Sequence, residues 1–125
     1  MTRKEFLERI EKLGLDRKRF CIISGGVMLM YGLREETGDI DIKMSPKYFT
    51  EIRDRFSVRK SPKFDYLYEL EDGVEVAVMD YGFEDVVEMD GYLVESLQKQ
   101  LEWKIANGRE KDREDIERIR EFLRK

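Results

Sequence analysis

Residues 21–44, CIISGGVMLMYGLREETGDIDIKM, decide the fold that the sequence predicts. The apolar run at residues 20–23 is rich in β-forming residues and stops at a pair of glycines, which is typical of a buried strand that turns sharply. The apolar residues 27–33 that follow do not alternate with polar ones, so they favour a short buried helix. The stretch therefore predicts a strand, a glycine turn and a helix in succession.

The last part of this stretch, residues 39–42, alternates aspartate with isoleucine. Alternate side chains of a strand point to opposite faces, so the pattern predicts one apolar face and one acidic face. Asp39 and Asp41 would project from the same face, about 6.5–7 Å apart along the strand. Two carboxylates at that spacing can share a divalent cation or bracket a pair of cations.

Together these residues resemble the signature of the nucleotidyltransferase superfamily, whose members have the DNA polymerase β-like fold. The matching features are the pair Gly25 and Gly26, a short helix ending in Tyr-Gly-Leu-Arg at residues 31–34, Thr37, and the Asp-Ile-Asp-Ile motif. The similarity is greatest to small bacterial and archaeal members, including the abortive-infection type toxins. The resemblance implies an α/β (α+β) fold, in which helices flank a mixed β-sheet and further helices close the C-terminal end.

The resemblance also implies a metal site made of three carboxylates. Asp39 and Asp41 would be catalytic and would bind Mg²⁺ or Mn²⁺. The third carboxylate is usually an aspartate on a neighbouring strand, and Glu75 is the best match, with Asp80 as the alternative. Glutamate at this position departs from the family pattern, because its side chain is longer by one methylene, about 1.5 Å. The site is therefore expected to be either a functional variant or a degenerate one.

Ser24, Gly25 and Gly26 are the expected phosphate-binding turn. Missing side chains would let the phosphates of a nucleotide approach the backbone N–H groups at the start of the helix, where the helix dipole adds attraction. The alternative is that the glycines only form a tight turn. Many relatives have a serine at the position of Gly26, which is the second departure from the pattern.

The C-terminal region also resembles the small nucleotidyltransferases, which often end with a lysine followed by Arg-x-Lys-Asp. The corresponding residues are Lys104, Arg109, Lys111 and Asp112. The resemblance implies that Lys104 and Arg109 contact phosphate. Basic residues on helices are more often solvated or paired with acids, so Arg109 and Lys111 are equally expected to pair with Asp112 or Asp115.

Composition excludes several classes of function. The chain has 125 residues, no histidine and one cysteine, which excludes Ser-His and Cys-His catalysis and histidine-based zinc sites. Cys21 lies in the apolar strand, so a buried and inert thiol is expected. No apolar run approaches the about 20 residues needed to cross a bilayer. We expect a single domain, residues 1–125, in the cytoplasm without membrane contact.

Charge is unevenly distributed along the chain although the net charge is only −4. Residues 64–95 contain eleven acids and no lysine or arginine. The preceding segment, residues 43–63, is basic. Its charges either form solvated faces or attract a polyanion such as RNA. Its basic residues are Lys43, Lys47, Arg53, Arg55, Arg59, Lys60 and Lys63.

The remaining elements follow from hydrophobic periodicity and turn signals. Residues 2–13 predict an amphipathic helix with a capping box, and Ser45-Pro46 predicts the start of another helix. Residues 64–79 predict a hairpin that turns at Asp72-Gly73. Helices are expected at residues 94–106, with Trp103 in the packing, and at 109–123; a loop with a short strand is expected at 81–93.

The predicted activity is transfer of a nucleoside monophosphate from an NTP to a hydroxyl of an acceptor. The acceptor class stays open among RNA, a protein and a small molecule. Two alternatives remain: a catalytically degenerate protein that binds a nucleotide or a partner, and a toxin-type enzyme with an antitoxin. Self-association into a homo-oligomer is also left open.

Overall fold

The computed structural model of the protein describes residues 1–80, 83 and 85–125. This part of the chain contains seven strands and five α-helices. The strands are β1 (Phe20–Ile22), β2 (Ile40–Met44), β3 (Arg59–Lys60), β4 (Leu67–Glu71), β5 (Val74–Val78), β6 (Val86–Met89) and β7 (Tyr92–Glu95). The helices are α1 (Arg3–Lys12), α2 (Gly25–Met30), α3 (Pro46–Ile52), α4 (Leu97–Asn107) and α5 (Arg113–Leu123).

The strands form one mixed sheet in the order β3-β4-β5-β2-β1-β7-β6. Two of the pairings are parallel, β2 with β5 and β1 with β7, and the others are antiparallel. The predicted fold class, a mixed sheet flanked by helices with helices at the C-terminal end, is confirmed. None of the helices in the described residues is long and apolar enough to cross a membrane.

The two central strands have one apolar face and one polar face, as the alternation at residues 39–42 predicts. Ile40, Ile42 and Met44 of β2 and Val74 and Val76 of β5 are buried completely in the hydrophobic core. Their neighbours at the alternate positions of both strands therefore project from the opposite side of the sheet. Asp41 of β2 and Glu75 of β5, two of the proposed functional residues, occupy such positions.

Two helix starts have the predicted caps. Thr2 Oγ1 accepts a hydrogen bond from the backbone N–H of Glu5 at 3.3 Å, and the Glu5 carboxylate accepts one from the N–H of Thr2 at 2.9 Å. Ser45 Oγ accepts from the N–H of Tyr48 at 3.2 Å at the start of α3. These bonds satisfy backbone donors that the first helical turn leaves unpaired.

The expectation for residues 81–106 is partly wrong. Residues 94–95 belong to β7 and not to a helix, and α4 begins at Leu97 with Ser96 as its N-cap. Strands β6 and β7 form a hairpin with its turn at Asp90-Gly91, where both residues have positive φ. β7 is buried beside β1, so its apolar residues do not show the alternation that identifies a half-exposed strand. The part of this expectation that concerns Tyr81, Gly82 and Glu84 lies outside the described residues.

Three other expectations also need correction. Strand β3 has two exposed residues and was not expected. The last helix begins at Arg113, after a short 3₁₀ turn at Glu110–Asp112, and not at residue 109. Trp103 does not pack in the interior, because its side chain is 40% exposed. Periodicity placed it on a helix correctly but does not show which neighbours cover a helix face.

Gly26 is required by packing, and its replacement tests this. A Cβ atom at this position would lie 2.6 Å from Cζ of Phe6 and 2.7 Å from Cγ2 of Ile22, and both of these side chains are buried completely. Gly26→Ala is expected to lower the free energy of unfolding by about 1–3 kcal/mol through overpacking, as measured by urea denaturation. Gly38→Ala is the matched control, because a Cβ there meets nothing within 4 Å. Equal stability of the two variants would contradict the close packing at Gly26.

Candidate active site

The three predicted carboxylates lie beside one cavity on the polar side of the sheet. Asp41 of β2 is the register partner of Glu75 on the adjacent parallel strand β5, so both side chains project from the same face. Asp39 precedes β2 by one residue and lines the same cavity. We call this the sheet-face cavity; its volume is about 320 Å³. Its polar and aromatic lining includes Ser24, Asp39, Asp41, Lys43, Lys63, Phe64, Tyr66, Glu75, Glu95, Lys99, Gln100, Trp103 and Arg109.

Asp41 is the carboxylate of the three whose pKa its environment raises. Burial raises its pKa to about 6, the negative charges of Glu75 and Asp39 add to this rise, and Lys63 opposes it. The ammonium of Lys63 lies 3.5 Å from Oε1 of Glu75, but its side chain is 66% exposed. The acidic residues are therefore close enough to repel one another, and one mobile lysine compensates only part of their charge.

These residues fit a hard divalent cation in donor chemistry. Their donors are carboxylate oxygens, and the negative charges of Glu75 and Asp39 act on Asp41, whose pKa is raised first by burial and then by these charges. Among residues 1–80, 83 and 85–125, no three acidic or cysteine side chains converge tightly enough to hold a metal ion. Mg²⁺ is usually bound by one or two carboxylates together with substrate phosphates. The arrangement thus fits an ion held by Asp39 and Asp41 with phosphate as the further ligand, while Glu75 on the adjacent strand is paired with Lys63.

Asp80, the alternative third carboxylate, is not brought to the site. It is exposed and lies beyond the end of β5, two residues after Val78. Glu75 is the acid that lies opposite Asp41, so the structure favours Glu75 of the two candidates. The lone thiol, Cys21, is buried, and this burial raises its pKa to about 12. It is therefore inert, as expected from its place in an apolar strand.

The glycine turn has a demanding backbone geometry. Ser24 has φ of 57° and ψ of −134°, which is unfavourable for a residue with a side chain. A Cβ on Gly25 would lie 2.6 Å from Oγ1 of Thr37, so only glycine lets the turn approach the loop before β2 this closely. Gly26 is buried against Phe6 and lines neither the sheet-face cavity nor the adjoining cavity that Gly25 lines. The expectation that Gly26 contacts phosphate therefore needs correction. Ser24 and Gly25 line the site, whereas Gly26 packs against the core.

A second cavity, of about 440 Å³, adjoins the first at the carboxylates. Asp39 and Asp41 line both, as do Ser24, Trp103 and Arg109. We call it the basic cavity, because four of its lining residues are cationic. Its charged lining consists of Arg34, Asp39, Asp41, Lys104, Arg109, Lys111 and Asp112.

The predicted phosphate contacts Lys104 and Arg109 belong to an ion-pair network. Lys104 is only 5% exposed, and its ammonium lies 3.2 Å from Oδ1 of Asp112 and 3.5 Å from Oδ2 of Asp115. Arg109 donates from Nε to Asp112 Oδ2 at 2.6 Å, and Arg34 pairs with Asp115. Burial raises the pKa of Asp112, but the hydrogen bond from Arg109 and the charge of Lys104 outweigh it, and the net shift is downward.

The network has a net positive charge. Three cations, Arg34, Lys104 and Arg109, face two carboxylates, which leaves +1. Lys111 lines the same cavity and is exposed. Lys104 is thus a buried, doubly paired lysine and not a freely reaching phosphate ligand, while Arg109 and Lys111 are more accessible. The pairing of Arg109 with Asp112 agrees with one of the two alternatives expected from the sequence.

Sequence reasoning missed a polar cluster at the sheet-face cavity. Lys43, expected in a basic surface segment, is only 4% exposed, and its ammonium lies 3.5 Å from Oε2 of Glu95. Gln100 Nε2 donates to the other oxygen of Glu95 at 2.8 Å. Oε1 of Gln100 is buried and has no partner in the described residues, at a cost of about 1–3 kcal/mol. Lys43 lies two residues after Asp41 on the same strand, and this spacing was the signal available in the sequence.

Three aromatic residues of the cavity were also missed. Phe64 and Trp103 are 48% and 40% exposed. Phe64 stacks on Tyr66 with ring centroids 5.3 Å apart and planes 13° apart. The guanidinium of Arg109 lies over the ring of Trp103, 4.7 Å from its centroid. In the sequence these residues read as strand and helix packing, and nothing local distinguishes them from core residues.

The fold is shared with a known structure. A crystal structure of a "putative nucleotidyltransferase" from Thermotoga maritima superimposes with a TM-score of 0.59 and 21% sequence identity, covering 99% of this chain and 96% of that chain. The chain has a nucleotidyltransferase fold. No protein-family model matches the sequence, and no curated protein matches it. At this identity the similarity establishes the fold alone, and the chemistry has to be argued from the residues above.

The raised pKa of Asp41 predicts a pH dependence of stability without divalent cations. The folded state raises this pKa from 3.8 to about 6, so the stabilising contribution of neutral Asp41 is complete below about pH 4 and is lost as the pH rises through about 6. Asp41→Asn should therefore become more stable relative to the wild type over this range, by up to about 3 kcal/mol at 1.36 kcal/mol per pKa unit before solvent screening. Urea denaturation of both proteins in EDTA measures the difference. A difference that stays constant from pH 4 to pH 7.5 would contradict the environment described for Asp41.

Proposed function

We propose that the protein is a Mg²⁺- or Mn²⁺-dependent nucleotidyltransferase that moves a nucleoside monophosphate from an NTP to a hydroxyl group of an acceptor. The observation that supports this most directly is that Asp39 and Asp41 line both the basic cavity and the sheet-face cavity, which also contains Glu75. An anionic triphosphate and an acceptor hydroxyl can thus approach the same two carboxylates from different sides.

The basic cavity suits the triphosphate. Its net charge is positive, and the backbone of Ser24 and Gly25 forms part of its wall. Arg109 and Lys111 are accessible there, whereas Lys104 is held by Asp112 and supplies charge from a buried position. Phosphoryl transfer depends mainly on positioning and charge neutralisation, which these residues provide without histidine.

Asp39 and Asp41 would hold the divalent cation at the junction of the two cavities. When bound, such an ion supplies charge neutralisation at the phosphate oxygens and lowers the pKa of a coordinated hydroxyl. Glu75 lies across from Asp41 on the next strand, where its carboxylate can accept the proton of the acceptor hydroxyl. The acceptor oxygen forms a bond to the α-phosphorus, the bond from that phosphorus to the β-phosphate oxygen breaks, and pyrophosphate leaves.

Asp41→Asn is expected to abolish transfer without unfolding the protein. Loss of several kcal/mol of charge stabilisation at about 1.36 kcal/mol per factor of ten corresponds to a decrease of about 10³-fold or more. The assay incubates the protein with each labelled NTP and with RNA and protein fractions of a cell extract, and measures which fraction is labelled. Asp54→Asn is the matched control, because Asp54 is exposed and lies on the 3₁₀ turn after α3. Unchanged labelling by Asp41→Asn would defeat the proposal.

The acceptor class is part of this proposal and stays open among RNA, a protein and a small molecule. The labelled fraction identifies it. A toxin-type role with an antitoxin partner belongs with the RNA and protein acceptors, because modification of either can arrest growth. The proposed enzyme is the same in all cases, since the carboxylates and the basic cavity act on the NTP.

A second candidate function is nucleotide binding without catalysis. It is favoured by the pairing of Glu75 with Lys63 and by the absence, in the described residues, of three side chains gathered around one metal position. A site that binds the triphosphate but does not activate the acceptor hydroxyl would retain Asp39, Asp41 and the basic cavity. The two functions differ in turnover and not in binding.

Calorimetry with ATP, GTP, CTP and UTP, with and without Mg²⁺, distinguishes the two candidates when combined with the labelling assay. For the enzyme we expect Mg²⁺-dependent binding together with labelling of an acceptor. Lys63→Met should then retain or increase Mg²⁺ affinity, because the lysine that neutralises Glu75 is removed. Mg²⁺-dependent binding with no labelling of any fraction by the wild type or Lys63→Met identifies the binding protein.

A further inference from the structure

The mouth of the sheet-face cavity carries exposed aromatic rings from two different parts of the chain. Phe64, stacked on Tyr66, belongs to the segment before β4, and Trp103 belongs to α4. Phe64 and Trp103 are exposed by 48% and 40%, so they are not needed to fill the core. Single exposed aromatic residues are ordinary on protein surfaces. Two exposed rings around one cavity, with a third stacked on one of them, suit a flat ligand, because aromatic rings stack on planar rings.

The buried polar cluster of the same cavity determines what such a ligand must carry. An ionised Glu95 can only accept hydrogen bonds, so it receives the amide N–H₂ of Gln100 on one oxygen and the ammonium of Lys43 on the other. This fixes the orientation of the Gln100 amide and turns its Oε1 away from Glu95. That oxygen is buried and unpaired within the described residues. Gln100 lines the sheet-face cavity, and a ligand group that reaches this buried oxygen must be a hydrogen-bond donor such as N–H.

We infer that the sheet-face cavity binds a nucleobase whose edge carries an amino group. The ring lies against Phe64 and Trp103, and the amino group donates to Oε1 of Gln100, which makes Gln100 the specificity-determining residue. The inference rests on the proposed function for its choice of nucleotides as ligands. A volume of about 320 Å³ is within the range of pockets that bind small ligands, about 300–1,000 Å³.

Adenine, cytosine and guanine carry an amino group, and the groups of adenine and cytosine can each be compared with a carbonyl in an otherwise similar base. Hypoxanthine and uracil have a carbonyl at the same ring position. Its oxygen is an acceptor and cannot form a hydrogen bond with Oε1, which is also an acceptor. The pairs ATP with ITP and CTP with UTP therefore isolate the amino group while keeping ring size and phosphate constant. Such a base has two sources, the NTP itself and the terminal nucleoside of an acceptor strand.

The test uses the intrinsic fluorescence of Trp103, which is the only tryptophan of the chain, together with calorimetry. We expect ATP and CTP to change the fluorescence and to bind about tenfold more tightly than ITP and UTP, the difference expected for one hydrogen bond to a buried acceptor. Equal affinity for the amino and carbonyl members of both pairs would overturn the inference. So would binding that leaves the environment of Trp103 unchanged.

Gln100→Met removes the acceptor and keeps the length of the side chain. The preference for amino-bearing bases should fall to near unity, while the affinity for ITP and UTP changes little; a preference that persists would overturn the inference. Because this variant also removes a partner of Glu95, its unfolding is measured in parallel. Phe64→Ala, which leaves the cluster intact, should weaken both members of each pair alike. Phe122→Ala, at an exposed aromatic position on α5 away from the cavity, is the control and should change neither.

Cytidine added to protein saturated with a non-hydrolysable CTP analogue identifies the source of the base. Exclusion of cytidine indicates that the base of the NTP fills the cavity, and simultaneous binding indicates that the cavity belongs to the acceptor. The outcome is independent of the labelling assay. Selective binding of amino-bearing bases without transfer would contradict the proposed enzyme and support this inference. Transfer from all NTPs, with no preference for amino-bearing bases in the NTP or in the acceptor, would support the enzyme and contradict this inference.

Discussion

The register between β2 and β5 is the constraint on which the candidate site depends. Parallel pairing sets Asp41 opposite Glu75, and the flanking pairs Ile40 with Val74 and Ile42 with Val76 are buried on the other face. A slip of one residue would turn the isoleucines toward the cavity and the acids into the core. The hydrophobic core therefore fixes the position of the carboxylates, even though no direct bond between them does so. Burial of the apolar pairs on the opposite face thus holds together carboxylates that repel one another.

The C-terminal helices complete the site through charge. Asp112 and Asp115 are buried, and each has two basic partners: Lys104 and Arg109 for the first, Arg34 and Lys104 for the second. Removing one partner from such a network leaves a buried charge uncompensated, so the network resists rearrangement. Arg34 belongs to the loop after α2, so these pairs join α4 and α5 to the segment that leads into β2. The positive charge beside Asp39 and Asp41 is consequently a fixed property of the fold.

The parts of the fold predicted correctly are those encoded by short-range patterns. The alternation at residues 39–42, the turn at Asp72-Gly73 and the caps at Thr2 and Ser45 each depend on neighbours within a few residues. The errors concern long-range information. Val94 and Glu95 fit either the end of a strand or the start of a helix, and the pairing of β7 with β1 decides between them.

The candidate site divides in the same way. The motif predicted which acids face one cavity, and the resemblance predicted that Glu75 lies nearby. Neither predicted that Gly26 faces Phe6 rather than the site, or that Lys104 is buried between two aspartates. Lys43 and Gln100 are ordinary residues in the sequence, and they become notable only because the fold brings both to Glu95. Such coincidences depend on tertiary packing, which no local pattern records.

Several features that lower stability occur around the same two cavities. Ser24 has a positive φ, which costs about 1–3 kcal/mol. Asp41 is held where its ionised form is disfavoured, and Gln100 Oε1 lacks a partner. Elsewhere in the described chain Asp85 and Asp90 also have positive φ, but helices are capped and the core consists of apolar side chains. Each of the three costs is relieved by a different ligand group: Asp41 by a cation, the turn at Ser24 by an anion that accepts from its backbone, and Gln100 by an N–H donor. The metal-bound nucleotide of the proposed function would carry all three groups, so that proposal accounts for the three features with one ligand.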